Sequence, residues 1–173
     1  MFTLVTWLLL SSSPLGAAAF ARGDYAVAEK FFLAAWQLHP DANTASNLGA
    51  VSRRLHKLAD AERWFDTVFA LRLKQLGASH ADTVIALNNR GVARLALGHP
   101  HQARADLEAA LARVRAHTAD HAAILANLGD VALQQARLGE ASRLCLQAFQ
   151  IDPGRSRACR EGVGRVAISA VEH

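Results

Sequence analysis

A glycine is followed twelve residues later by an alanine at Gly49–Ala61, Gly91–Ala103 and Gly129–Ala141, and the same offset separates Gly16 from Ala28. In three of these places an asparagine stands two residues before the glycine: Asn47, Asn89 and Asn127. A fixed offset that recurs in this way is an internal repeat, and a repeat confines the fold to an array of similar stacked units.

The residues after each alanine say what the unit is. Ala28 is followed by Phe31, Phe32, Ala35 and Trp36. Ala61 is followed by Trp64, Phe65, Val68 and Phe69, and Ala141 by Leu144, Cys145, Ala148 and Phe149. Offsets of +3, +4, +7 and +8 make the apolar stripe of an amphipathic helix. The third unit is weaker: Ala103 leads to Leu107, Ala110, Leu111 and Val114, with Asp106 at +3. Upstream of each alanine a second helix is expected, with Val84, Leu87, Gly91 and Leu95 as its packed face in unit three. Asp41, Asp82 and Asp120 are the expected caps of these first helices. His56, Gly98 and Gly139 are expected at or near the turns, Pro100 suits the first position of a helix, and Pro40 and Pro153 end the second helices of units one and four.

The expected fold is therefore all-α: a right-handed superhelical solenoid of about four antiparallel hairpins. The hairpins span 13–41, 42–78, 79–118 and 119–153, and a basic capping helix and tail follow at 154–173. Helical pairs with an alanine, an aromatic residue four later and then a proline resemble the tetratricopeptide repeat family. Ala28-x3-Phe32 with Pro40, and Ala61-x3-Phe65, carry that resemblance best. No tryptophan opens a first helix, which departs from the pattern. The stretch from Leu71 to Thr83, with Gly77-Ala78-Ser79-His80-Ala81-Asp82, leads into Leu87-Asn88-Asn89 and is similar to the kinesin light chain subtype.

The glycines Gly49, Gly91 and Gly129 belong to the seam between paired helices. Two residues earlier is about 200° around the axis, so Asn47, Asn89 and Asn127 point away from that seam. An asparagine amide offers an acceptor and two donors, which suits the backbone of an extended peptide. The resemblance implies that these asparagines line the concave face and hold such a peptide. Neighbours on the same helical face are Asn43 and Arg54 in unit two, Ile85 and Val92 in unit three, and Asp130 and Gln134 in unit four; Arg53 and Arg94 are expected close by. The expected partner is a protein or peptide with an acidic element near Arg54 and an apolar one over Ile85 and Val92. A carboxylate clamp is not expected, because Ala123 and Asn127 stand where its cations would be.

The formal charge of +4 is spread along the chain. With Asp130 in the groove it does not suit phosphate tracking, so nucleic acid is not an expected partner and an RNA-binding hairpin array is the weaker alternative. A self-associating envelope assembly factor, hence a homo-oligomer, is the other. No nucleophile elbow, phosphate loop, dinucleotide fingerprint or zinc-protease motif occurs, so neither catalysis nor a cofactor is expected. His117 and His121 are four apart but fall in a loop, and no metal site is expected. His80 fits a structural role in its loop. The two cysteines, Cys145 and Cys159, have no metal-type spacing. Cys145 reads as a buried thiol, and pairing would require close approach and an oxidising compartment.

Residues 1–19 combine an apolar run, Ser11-Ser12-Ser13-Pro14 and small residues, which is the pattern of an export signal. Ser13 and Pro14 equally suit the start of a first repeat helix, and the alternative is a cytoplasmic chain. The break at Ser11–Pro14 falls well short of the about 20 apolar residues of a stable membrane span.

Overall fold

The computed structural model describes residues 13–154 and Cys159. The described residues are helical throughout apart from turns. Helix α1 covers residues 13–21. It is followed by α2 (Tyr25–Leu38), α3 (Ala42–Arg54), α4 (Leu58–Leu76), α5 (Ala81–Ala96), α6 (Pro100–Leu111), α7 (Ala119–Gln134) and α8 (Leu138–Ile151). The chain divides into two compact units after Gly77. In the first, α2 packs on α3 and α3 on α4; in the second, α5 packs on α6, α6 on α7 and α7 on α8. No described helix is long and apolar enough to cross a membrane. The expected C-terminal capping helix lies outside the described residues, except for Cys159, as do residues 1–12 of the signal-like segment.

The repeat has a steric basis. A Cβ placed on Gly16 would lie 2.7 Å from Phe32, on Gly49 2.8 Å from Phe65, on Gly91 2.9 Å from Leu107, and on Gly129 2.6 Å from Cys145. In every hairpin the glycine thus meets the side chain sixteen residues ahead, four past the repeat alanine. The alanines Ala28, Ala61, Ala103 and Ala141 are fully buried, and Phe32 and Phe65 are 2% exposed. Paired helices come this close only because one partner has no side chain and the other fills the space above it. In the first unit the core runs through Ala19, Ala28, Phe32, Leu48 and Val51. Trp36 and Trp64 close it edge to face, with ring centroids 5.2 Å apart.

The turn inside each hairpin is equally regular. Gly23, His56, Gly98 and Ala136 all have positive φ and all stand five residues before the repeat alanine. The next residue donates its N–H back to the last turn of the first helix, as Lys57 does to Ser52, His99 to Arg94 and Arg137 to Ala132. Gly139 lies near its turn, as the second residue of α8, and Ala136 is the residue that takes the left-handed conformation there. Pro100 does open α6.

The helix starts also differ from expectation at two of three positions. Asp41 caps α3 by accepting from the N–H groups of Asn43 and Thr44. Burial opposes its charge, but those bonds and the Thr44 hydroxyl hold the carboxyl below its ordinary value. Helix α5 is capped by His80, whose Nδ1 accepts from the Asp82 N–H, and α7 by Thr118, whose hydroxyl accepts from the His121 N–H. Asp82 and Asp120 sit in the first turn, where they suit the positive end of the helix dipole without capping it.

Unit three is not loosely built. Leu107 and Ala110 are fully buried, and Asp106 at +3 is buried as well. Arg90 grips Asp106 with Nε at 2.9 Å and Nη2 at 2.6 Å, and Arg94 Nη1 adds a bond of 2.8 Å. A buried ionic cluster therefore replaces the aromatic or aliphatic contact of the other units. Arg94, three residues after Gly91, shares the seam face and turns to α6, which corrects its expected place beside the groove.

Candidate functional site

The second unit holds a cleft of about 150 Å³ between α5 and α7, lined by Val84, Ile85, Asn88, Asn89, Asp120, Ala123 and Ile124. Two of the expected groove residues, Ile85 and Asn89, lie in it. Ile85 is 41% exposed, unusual for a large aliphatic residue on a packed helix. Asn127 of α7 donates from Nδ2 to Asn88 Oδ1 at 2.7 Å, and Asn88 Nδ2 reaches Asn89 Oδ1 at 3.5 Å. The three amides form a relay across the cleft. Among the described residues, Asn127 Oδ1 and the Asn89 NH₂ group have no protein partner, so the relay ends in one acceptor and one donor.

Asn88 was not singled out from the sequence as a site residue. Its neighbour Asn89 occupies the repeat position, and helical periodicity does not show that the side chain before it reaches α7. The doubled asparagine of Leu87-Asn88-Asn89 was the available signal. Val92 is half-buried on α5, and Asp130 and Gln134 are exposed on α7. None of these three lines the cleft.

The first unit carries the remaining expected residues on α3. Asn47 is half-buried, and Asn43 is exposed with its Oδ1 accepting from Arg72 of α4. Arg53 is exposed. The Arg54 guanidinium lies 5.8 Å from the centroid of the Tyr25 ring, a cation–π contact that steadies the side chain at the surface.

The His117–His121 pair does a local job. The His117 N–H donates to His121 Nδ1 at 3.1 Å, closing the loop before α7. Burial, with the neighbouring His117 adding to it, lowers the pKa of His121 and favours the neutral ring that accepts this bond. Among the described residues no three potential metal ligands converge. The cysteine reading changes most. Cys145 is buried as expected but is not a free thiol: it forms a disulfide with Cys159, the Cα atoms being 5.5 Å apart.

Helical hairpins with a glycine seam and an amide-lined first-helix face define a repeat scaffold. Residues 40–116 match the tetratricopeptide repeat family, so this part of the chain is built of tetratricopeptide repeats. No curated protein matches the chain. Among solved structures it is similar to BtubC (BKLC) from P. vanneervenii, with 21% identity and a TM-score of 0.74, covering 81% of this chain and 61% of that one. The chain thus spans less than two thirds of that structure. A Podosopora anserina structure described as kinesin light chain nearly identical TPR-like repeats aligns with 15% identity and a TM-score of 0.70, covering 95% of this chain and 97% of that one. The TPR2AB-domain:pHSP90 complex of yeast Sti1 aligns at 12% identity and a TM-score of 0.53, over 94% of this chain and 85% of that one. At such identities the likeness shows the fold alone.

Proposed function

We propose that the chain is a non-catalytic scaffold that holds an extended segment of a partner protein, with the α5–α7 cleft gripping the main chain of that segment. The observation that carries this reading is the amide relay, because its two free ends match the two polar groups of a peptide unit. Ile85 offers an apolar contact beside it. The yeast complex with pHSP90 shows that a protein of this fold can engage another protein. Peptides selected on the protein from a random library provide the test. Asn89→Ala and Asn127→Ala together should weaken binding of a selected peptide by about tenfold, two neutral hydrogen bonds being worth about 1–3 kcal/mol. Methylation of the contacted peptide nitrogen should do the same. An affinity unchanged in a variant that keeps its helical circular dichroism would overturn the reading.

We also propose that the chain resides in an oxidising compartment, the Cys145–Cys159 bridge being the support for it. Gly16 and Ala19 of α1 are buried against the first core, which favours a mature chain that keeps residues 13–21. Acid quenching and alkylation of the protein in its host should leave both cysteines unmodified. Alkylation of both would place it in a reducing compartment.

A further inference from the structure

We propose that the Cys145–Cys159 disulfide is a redox latch that fixes α7 and thereby sets the geometry of the α5–α7 cleft. The latch itself follows from the packing; only its effect on ligand affinity rests on the cleft being the binding site. In the other hairpins the seam glycine faces Phe32, Phe65 or Leu107, whereas Gly129 faces two sulfurs. A Cβ at Gly129 would lie 2.6 Å from Cys145 Sγ and 2.7 Å from Cys159 Sγ. Cys159 Sγ is also 3.4 Å from the carbonyl oxygen of Ala126. The bridge therefore packs closely against α7 at Ala126 and Gly129, on either side of Asn127. Asn127 is the α7 residue that bonds across to Asn88.

The bonded state is what the space accommodates. Bonded sulfurs sit about 2 Å apart. Two thiol sulfurs, like other unbonded heavy atoms, need roughly 3.5–4 Å. Cys145 is 1% and Cys159 4% exposed, so no solvent-filled space receives the difference. Reduction by a dithiol breaks the Sγ–Sγ bond, delivers two electrons and two protons to give two thiols, and leaves the reagent as its own disulfide. Either α7 then shifts to admit the separated thiols, or Cys159 leaves the seam and uncovers Ala126 and Gly129. Both outcomes loosen the helix that carries Asn127.

Hydrogen exchange of the full chain, oxidised and after treatment with dithiothreitol, tests the latch. Amides of α7 should exchange about tenfold faster or more after reduction, as expected for a local opening, while those of α3 and α4 stay unchanged. The Cys145→Ser/Cys159→Ser double variant should match the reduced protein and ignore the dithiol. Equal α7 exchange in both redox states would overturn the latch, and so would a double variant that responds to dithiol as the parent does. Faster exchange in every helix, α3 and α4 included, would make the bridge a general staple and also overturn it. Affinity for a selected peptide is read on the same samples. If α7 loosens and affinity does not fall, the coupling to the cleft is wrong; the Asn89 and Asn127 variants of the oxidised protein test the cleft separately.

Discussion

Asp106→Ala is expected to cost about 3–5 kcal/mol of stability, the usual result of removing one partner from a buried ionic cluster. Asp106 is 6% exposed at its side chain, and Arg90 and Arg94 are 15% and 18% exposed, so water screens this cluster little. Alanine removes the buried carboxylate to which Arg90 Nε and Nη2 and Arg94 Nη1 donate. An exposed pair gives a useful contrast. Arg22–Asp24 has side chains 63% and 52% exposed, and its removal belongs to the class of surface pairs with little measurable effect. Urea denaturation of the two variants side by side checks this. A loss below about 1 kcal/mol for Asp106→Ala would show that the cluster is effectively solvated.

Phe65→Ala is expected to cost a similar amount, about 3–5 kcal/mol, because a 2%-exposed aromatic ring leaves a cavity between α3 and α4. The seam geometry adds a more discriminating expectation. In the parent, Gly49→Ala puts a methyl group 2.8 Å from the Phe65 ring and should destabilise by about 1–3 kcal/mol through overpacking. In the Phe65→Ala background the same methyl enters the empty space, and the sign of its effect should reverse. The double-mutant cycle in thermal or urea melts reads this coupling directly. Additive effects would show that glycine and ring do not share the site.

These two cases also show what a sequence can and cannot reveal here. The glycine-to-alanine offset was legible because two helices can approach closely only where a small residue recurs in register. That rule acts on residue identity and spacing alone. The apolar stripe after each alanine followed for the same reason. The destination of long or polar side chains was less legible. Arg94 was expected near the groove, yet it shares the Gly91 face and reaches back to Asp106, a choice set by a buried carboxylate on another helix. Caps failed similarly: an aspartate in the first turn attracts attention, but His80 and Thr118, two residues earlier, make the bonds at α5 and α7. Ala136 gave no sign of its left-handed backbone, because the seam of α7 and α8 imposes it. Within the cleft, periodicity assigned a face to Asn89 and Asn127. The bond from Asn127 to Asn88 depends on the spacing between α5 and α7, which a single helical wheel does not contain.

The residue facing each seam glycine becomes smaller along the chain, from Phe32 and Phe65 to Leu107 and then Cys145. Where the bulk is least, a covalent bond closes the seam, joining residues that are 14 apart in sequence. A protein pulled by its C-terminal tail would yield without releasing that loop. Its extension would fall short by the contour of those 14 residues, about 45–50 Å at roughly 3.3–3.6 Å per residue. The bridge gives the α7–α8 hairpin a mechanical stop that the earlier hairpins obtain from packed side chains.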